Sequence, residues 1–168
     1  MLIVTTDRLS AFDVVFDQPI PDKGKILTSI ANYWFNKTDH IIQNHLSNIG
    51  LEDVLSKEEA EALHGRAIVV KKLKPIAIEA VVRGYLIGSG WKEYNSTGSV
   101  CGISLPPQMR LAEKLESPLY TPSSKAAVGE HDANISFNET ENIVGSKIAT
   151  QIKKISLSIY SFAAEHAL

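Results

Sequence analysis

The sequence of 168 residues has little cysteine and no long hydrophobic run. Its single cysteine, Cys101, excludes an internal disulfide and any zinc site that needs several cysteines. We expect this residue to be a small, buried or half-buried side chain. The longest apolar run is too short to cross a bilayer, and no signal peptide is recognisable in the first residues. These features predict a protein of the reducing cytoplasm that is not attached to a membrane.

Neither sign of charge dominates the sequence. Seventeen basic residues stand against nineteen acidic ones, which gives a net charge of -2. Without a basic field the chain has no general attraction for nucleic acid, so any anion site must be local. Hydrophobic residues make up 44% and charged residues 21% of the chain. This composition is typical of a soluble globular protein that is large enough to bury a core.

β-branched and apolar runs predict the strands. The pattern favours a buried strand over residues 2–6 and two further strands over residues 67–72 and 76–83. A proline between the last two runs favours a bend there. Residues 84–122 carry most of the glycine and proline, so little regular structure is expected among them.

Apolar residues at helical spacing predict the helices. They indicate an amphipathic helix over residues 26–38 and one long helix from residue 145 to residue 168. Ser56 and Ser136 each precede a glutamate by three residues, a capping-box pattern that predicts the start of a shorter helix. The chain begins inside a strand and ends in a helix without a stop signal, so we expect a fragment of a longer protein.

The densest group of chemically useful side chains lies in one short segment. Arg83 ends a predicted strand, and six residues later Ser89 lies between two glycines. Glycines let backbone N–H groups approach an anion, a guanidinium offers a rigid fork of donors, and a hydroxyl adds one more. This pattern predicts a phosphate site, although its spacing fits neither a Walker loop nor a dinucleotide fingerprint. The alternative is a glycine-rich turn with an exposed arginine.

A second group of polar residues follows the first predicted strand and comprises Asp7, Ser10 and Asp13. Carboxylates just past the end of a buried strand commonly meet a ligand, a metal or a substrate amine. Asp7 is equally suited to capping the following turn, and Asp13 to a solvated loop. Spacing alone favours these structural roles.

A third group lies in an irregular stretch and comprises Lys125, His131 and Asp132. No further ligand has a spacing that would complete a metal site with the histidine and aspartate. No nucleophile-elbow sequence supports a Ser-His-Asp hydrolase either. The polarity of a surface loop is the default explanation for this group.

Taken in order, these segments resemble the SAICAR synthetase (phosphoribosylaminoimidazole-succinocarboxamide synthase) family of purine biosynthesis. The resemblance covers essentially the whole chain, and several long motifs in the same order are hard to obtain by chance. The matching stretches are residues 6–13, 76–92 and 129–132, with Pro19-Ile20-Pro21, Lys23-Gly24, Leu105-Pro106 and Thr121-Pro122-Ser123 between them.

The resemblance implies a carbon–nitrogen ligase that joins L-aspartate to the carboxylate of carboxyaminoimidazole ribotide with ATP and Mg²⁺. It also implies a two-lobed α+β fold with an ATP cleft similar to those of kinase and ATP-grasp folds. Residues 1–75 would belong to the N-terminal lobe and residues 76–168 to the C-terminal lobe. Family members carry a Gly-Lys phosphate loop upstream and Mg²⁺-binding acids downstream of the matching region. Neither lies in these 168 residues, so the resemblance assigns no metal ligand here.

Carried over by position, the resemblance implies a ribotide site. Arg83 and Ser89 would hold the ribotide phosphate, in agreement with the anion site predicted from their residue types. Ser10 and Asp13 would lie at the imidazole and its carboxylate. The substrates would be small molecules, with no nucleic acid or membrane partner.

The resemblance also implies the nucleotide and aspartate sites. Three residues would border the adenine and ribose of ATP: Lys74, Ile76 and Glu79. Lys125, His131 and Asp132 would face the incoming aspartate or a nearby phosphate. Lys125, His131 and Asp13 are then the residues expected to take part in catalysis.

Two other functions stay open at this point. One is an inactive remnant that binds the nucleotide or ribotide without turnover, and the other is a kinase-like phosphotransferase with a different acceptor. Against the second, the sequence has no kinase catalytic loop and no Asp-Phe-Gly signature. The long helix, with Trp34 and Phe35 elsewhere, would also suit a homo-oligomer.

Overall fold

The computed structural model describes residues 1–11, 14–125 and 132–167. Within them, helices alternate with short antiparallel strands, and the chain divides into two units, Met1–Lys74 and Pro75–Leu168. This mixture confirms the predicted α+β class. The assignment of the two units to the lobes of the family stays a prediction.

The described residues of the first unit form two pairs of antiparallel strands and two helices. Its elements are β1 (Leu2–Val4), β2 (Ser10–Ala11), β3 (Val14–Val15), α1 (Lys23–Lys37), α2 (Lys57–Leu63) and β4 (Ala67–Val69). Strand β1 pairs with β4 in a register that places Leu2 opposite Val69, and β2 pairs with β3. Helix α2 begins with the predicted capping box at Ser56.

Strand β1 forms where it was predicted, but the prediction that it is buried was wrong. Leu2, Ile3 and Val4 are 36%, 36% and 42% exposed. Among the described residues, β1 pairs with β4 along one edge only. Successive side chains of a strand point to opposite faces, so neither face of β1 is covered. β-branched residues predict an extended backbone, whereas burial depends on what packs against it.

Helix α1 begins three residues earlier than predicted because a distant carboxylate caps it. The backbone N–H of Gly24 donates to Oδ1 of Asp7 at 2.8 Å, while Asp22, at the cap position, makes no capping bond with its side chain. Asp7 also accepts a hydrogen bond from Nη2 of Arg66 at 3.1 Å. Asp7 therefore has a structural role, but it caps a helix 17 residues further along the chain instead of the turn that follows it.

In the second unit, the part of the chain that the structure describes forms three further antiparallel strand pairs and three helices. Its elements are β5 (Ile78–Glu79), β6 (Val82–Tyr85), α3 (Gly88–Thr97), β7 (Ser99–Val100), β8 (Ile103–Ser104), β9 (Lys114–Tyr120), β10 (Ser123–Ser124), α4 (Phe137–Val144) and α5 (Ser146–His166). Strand β5 pairs with β10, β6 with β9, and β7 with β8. Helix α4 begins with the predicted capping box at Ser136, and α5 is the predicted long helix.

Two predictions for this unit were wrong. The single strand expected over residues 76–83 is two strands, since β5 and β6 pair with different partners. Residues 84–122, expected to hold little regular structure, contain α3 and strands β7 to β9. The glycines around Ser89 suggested a loop, yet they lie in the first turn of a helix that ends at Gly98 in the left-handed conformation. Glycine marks helix ends as well as loops.

The core of the second unit surrounds helix α3. Its buried members are Leu86, Tyr94, Val100, Cys101 and Leu115. The Cys101 thiol lies 3.6 Å from the carbonyl oxygen of Pro122, and burial raises its pKa to about 11. Cys101 is thus the small buried side chain that the sequence predicted. Throughout the described part of the chain, no helix combines the length and apolar character needed to cross a membrane.

Candidate functional site

The two residues predicted to hold a phosphate lie side by side. Arg83 projects from β6, and Ser89 is the second residue of α3. Nη2 of Arg83 donates to Oγ of Ser89 at 2.8 Å, and Nη1 donates to the carbonyl oxygen of Ile87 at 3.3 Å. The turn between strand and helix therefore holds the guanidinium against the start of the helix.

A glycine in the first turn of α3 makes room for this arginine. A Cβ atom at Gly90 would lie 3.1 Å from Cδ and from Nε of Arg83, closer than side chains normally pack. Nε of Arg83 is buried and has no hydrogen-bond partner among the residues that the structure describes. A buried donor without a partner is costly unless something accepts its proton. The guanidinium thus has donor capacity that its protein neighbours do not use.

The N-terminus of α3 adds backbone donors to the same place. Ile87 occupies the cap position, and its side chain makes no capping hydrogen bond. The first N–H groups of a helix have no partner within the helix, and the helix dipole favours an anion beside them. Backbone N–H groups, the Arg83 guanidinium and the Ser89 hydroxyl therefore lie together at the start of α3.

Asn134 links this arrangement to the body of α3, and sequence analysis did not single it out. Oγ of Ser89 lies 3.5 Å from Oδ1 of Asn134, whose Nδ2 donates to Oε2 of Glu93 at 2.6 Å. Glu93 lies one helical turn beyond Ser89, a spacing that would have indicated a shared face had the helix been recognised.

Strand pairing brings most of the other predicted residues of this unit together. Glu79 on β5 lies opposite Ser123 on β10, and the backbone N–H of Lys125 donates to the carbonyl oxygen of Ala77 at 3.4 Å. The other side of this segment bonds to residues 133 and 134, since the N–H of Ser124 donates to the carbonyl oxygen of Ala133 at 2.9 Å and Ser123 forms a β-bridge with Asn134.

These pairings put the predicted nucleotide and aspartate residues on neighbouring segments. Ile76, Glu79, Lys125 and Asp132 are exposed. The segment of Asp132 continues directly into Asn134, and hence to Ser89. One connected region of the second unit thus carries both the polar groups at the start of α3 and these four side chains.

The remaining predicted residues lie elsewhere or outside the described residues. Ser10 is exposed in β2, and Lys74 is exposed at the end of the first unit. Asp13 and His131 lie outside the residues that the structure describes. The structure therefore brings Arg83 together with Ser89, while Ser10 and Lys74 belong to the other unit.

Comparison with known proteins identifies the relatives of this chain. Residues 1–168 match the family model described as SAICAR synthetase. The chain belongs to the SAICAR synthetase family.

A relative from Cupriavidus taiwanensis, named phosphoribosylaminoimidazole-succinocarboxamide synthase, is 57% identical over 167 residues, which are 99% of this chain and 55% of the relative. A relative of the same name from Pasteurella multocida is 54% identical over 168 residues and is covered to 59%. The chain thus spans little more than half the length of these relatives.

Solved structures of the family share the fold. The SAICAR synthase of Saccharomyces cerevisiae, described as complexed with SAICAR, has a TM-score of 0.85 and 34% identity. The match covers 95% of this chain and 55% of the yeast chain. The SAICAR synthetase of Pyrococcus horikoshii has a TM-score of 0.74 at 18% identity, with 99% of this chain and 63% of that one covered. At so low an identity the second likeness shows the fold alone.

Proposed function

We propose that this chain serves the ligase reaction that gives the SAICAR synthetase family its name. In that reaction the amine of L-aspartate is joined to the carboxylate of carboxyaminoimidazole ribotide, and ATP is converted to ADP and phosphate. The product, SAICAR, is an intermediate of de novo purine biosynthesis, which we place in the cytoplasm. The proposal is supported by the family match over the whole chain and by the yeast relative described as complexed with SAICAR.

The chemistry requires activation of a carboxylate that is otherwise a poor acyl donor. Transfer of the γ-phosphoryl group of ATP to the ribotide carboxylate forms an acyl phosphate and releases ADP. The aspartate amine then attacks the acyl carbon, the amide bond forms, and phosphate leaves. Such a reaction depends on positioning and charge stabilisation, and on a site that keeps water from the acyl phosphate.

The arrangement of Arg83 and Ser89 at the start of α3 is the observation that carries the proposal. Their 2.8 Å contact lies beside uncapped helical N–H groups, and the guanidinium has more N–H donors than its two hydrogen bonds to Ile87 and Ser89 use. A phosphate monoester supplies the acceptor oxygens that such donors need. The ribotide phosphate therefore belongs there in the proposed complex, at a distance from the reacting carboxylate.

The other assignments extend the proposal to the remaining substrates. Glu79 would accept hydrogen bonds from the ribose hydroxyls of ATP, with Ile76 and Lys74 beside the adenine. A SAICAR synthetase of the same fold, with 18% identity, is described in complex with ADP. The residues proposed for the imidazole, its carboxylate and the incoming aspartate are Ser10, Asp13, Lys125, His131 and Asp132.

The described residues contain no group of side chains that would bind a metal ion without help from a ligand. Across residues 1–11, 14–125 and 132–167, no three His, Cys, Asp or Glu side chains lie close enough together to hold a metal ion. Mg²⁺ is implied by the resemblance, but no step assigned here to these residues passes through it.

Release of ADP by the purified chain tests the ligase reaction. We expect sustained release, beyond one ADP per chain, to require both carboxyaminoimidazole ribotide and L-aspartate, because the acyl phosphate is formed on one and consumed by the other. Sustained release with only one of them, or with neither, would contradict the proposed reaction. Binding of the ribotide without any release of ADP would instead identify a chain that binds substrate and does not turn it over.

Arg83→Ala tests the phosphate assignment directly. Loss of hydrogen bonds from a charged donor costs about 1.5–3 kcal/mol, so we expect the ribotide Kd to rise roughly 10- to 100-fold. The matched control is Arg110→Ala, whose side chain is 91% exposed in the same unit. Calorimetric titration should show the change for Arg83 alone, with both variants retaining the parent Tm. An unchanged ribotide Kd in Arg83→Ala would refute the phosphate site.

A further inference from the structure

A line of hydrogen bonds runs from the Arg83–Ser89 pair to the interior of the second unit. Asn134 stands in the middle of this line, between Oγ of Ser89 and Oε2 of Glu93. The other carboxylate oxygen of Glu93, Oε1, accepts from the backbone N–H of the buried Cys101 at 2.8 Å. The line is therefore anchored at a backbone atom of the core.

Glu93 dictates which way the Asn134 amide points. Both oxygens of the carboxylate face donors, and an ionised carboxylate can only accept. The amide nitrogen of Asn134 must therefore face Glu93, as the 2.6 Å bond requires. The amide oxygen is left on the other side, where it faces the hydroxyl of Ser89.

The direction of the amide in turn decides where the Ser89 proton goes. Nη2 of Arg83 donates to Oγ of Ser89 at 2.8 Å, so one lone pair of the hydroxyl is occupied. The hydroxyl proton then points to Oδ1 of Asn134, at an O–O separation of 3.5 Å. The proton is thereby turned away from Arg83, and the Ser89 oxygen keeps a lone pair directed at the guanidinium.

Asn134 also completes the hydrogen bonding of the Glu93 carboxylate, which lies one turn along α3 from Ser89. The neutral amide faces Glu93 with its nitrogen and satisfies Oε2, while Cys101 satisfies Oε1. Both oxygens of the acid are thus occupied by donors from the protein.

From this geometry we infer that Asn134 and Glu93 are positioning residues for the phosphate subsite. Glu93 fixes the Asn134 amide, and Asn134 accepts the Ser89 proton, so that the Ser89 oxygen stays turned to Arg83 and holds the guanidinium at the start of α3. Neither residue touches the ligand. The inference rests on the proposed function, since it requires that Arg83 and Ser89 bind the phosphate of a ribotide.

The test compares two ligands that differ only in the phosphate, aminoimidazole carboxamide ribotide and the corresponding riboside. We expect Asn134→Leu to raise the Kd of the ribotide about fivefold, because Ser89 then holds the Arg83 guanidinium less firmly, and to leave the Kd of the riboside unchanged. In a Ser89→Ala background the same substitution should have no further effect on the ribotide. A residue that only supports the fold would weaken both ligands, or would act equally in both backgrounds, and either result would overturn the inference.

A second variant keeps the test valid if Asn134→Leu unfolds the chain. Glu93→Gln preserves the shape of the side chain but has one oxygen for two donors, so Asn134 Nδ2 and the Cys101 N–H compete for it. We expect a smaller loss, about twofold to fivefold and confined to the ribotide. The matched control is Glu116→Gln on an exposed position of β9, which should change neither Kd.

The two proposals fail in distinguishable ways. If the parent chain binds ribotide and riboside equally, the phosphate site itself is absent, and the positioning role of Asn134 and Glu93 is refuted as well. If the parent prefers the ribotide and Asn134→Leu and Glu93→Gln retain the full preference, the phosphate site stands and the positioning role alone is refuted.

Discussion

Asp7 shows how one carboxylate can join three distant parts of a chain. Its carboxylate accepts hydrogen bonds from the backbone N–H of Gly24 at 2.8 Å and from Nη2 of Arg66 at 3.1 Å. It therefore links the segment after β1 to the start of α1 and to the residue that precedes β4. The hydrogen bond from Gly24, followed by the contact with Arg66, lowers the pKa of Asp7 from its ordinary value of 3.8. Both partners therefore favour the ionised form.

The pH dependence of stability follows from the direction of this shift. Because the folded-state pKa is lowered, the contribution of Asp7 is complete above the unfolded-state value near 3.8. It is lost as the pH falls through the lower folded-state pKa. We expect Asp7→Asn to be less stable than the parent at neutral pH, and the difference to vanish as the solution is acidified. Urea unfolding at a series of pH values measures it.

Asp17→Asn is the control for the Asp7 experiment, because Asp17 is an exposed aspartate of the same unit. Its substitution should leave the midpoint of unfolding close to that of the parent at every pH. A difference between Asp7→Asn and the parent that persists below the folded-state pKa would show that the carboxylate charge is not what stabilises this junction.

Helix α5 and strand β6 meet at a glycine. A methyl group at Gly84 would overlap the hydroxyl of Tyr160, so the strand and the helix can approach this closely only without a side chain there. Gly84 also follows Arg83 directly, and the packing of α5 on β6 thereby helps to set the position of the guanidinium.

Gly84→Ala should destabilise the second unit by about 1–3 kcal/mol, the usual cost of forcing an extra methyl group into a packed contact. Tyr160→Phe in the same chain removes the overlapping hydroxyl, although Cζ would still lie 2.8 Å from the new methyl carbon. We therefore expect partial recovery, which a double-mutant cycle on thermal unfolding detects. Additive effects of the two substitutions would contradict this account.

Gly50→Ala is the matched control for Gly84→Ala. There the new methyl carbon would lie 2.8 Å from Oε2 of Glu52, the end of an exposed and flexible side chain that can move aside. Its effect on the midpoint of thermal unfolding should be small.

Elements with local signals could be predicted from the sequence, and elements without them could not. The capping boxes at Ser56 and Ser136 form as expected, because the bonds of each join residues only three apart. The 10 residues of α3 were missed because two of the first three are glycines, which weaken any helical pattern. Strands β5 and β6 were merged because the break between them arises from pairing with β10 and β9, which no local pattern records.

The same distinction applies to the candidate site. Arg83 and Ser89 lie in one motif, and a turn of a few residues suffices to bring their side chains into contact. The bond between Asn134 and Glu93 joins residues 41 apart in the sequence. Their contact depends on the return of the chain through β9 and β10, so residue types and spacing could not predict it.

Apolar surface is unevenly distributed over the two units. The buried hydrophobic cluster around α3 lies in the second unit. In the first unit, the apolar side chains of β1 and of residues 14–16 are at least 36% exposed. They are Leu2, Ile3, Val4, Val14, Val15 and Phe16. An exposed strand with one edge unpaired among the described residues is a surface to which another strand can add.

We expect this surface to make the isolated chain associate as its concentration rises. Ile3→Lys should reduce the association, because a charge on an exposed edge strand opposes pairing with another strand. Ile148→Lys is the control, since Ile148 is similarly exposed, at 44%, but lies on α5. Sedimentation velocity over a range of concentrations makes the comparison. Equal effects of the two substitutions would show that general solubility, rather than the β1 edge, governs association.

The state of Cys101 has a practical consequence for spectroscopy. Maleimides and similar reagents attack the thiolate, and this buried thiol, with its pKa raised to about 11, stays protonated at neutral pH. A cysteine introduced at an exposed position such as Ser158 on α5 would therefore react first. The wild-type background can carry a single fluorophore or spin label at a chosen position, without prior removal of the native cysteine.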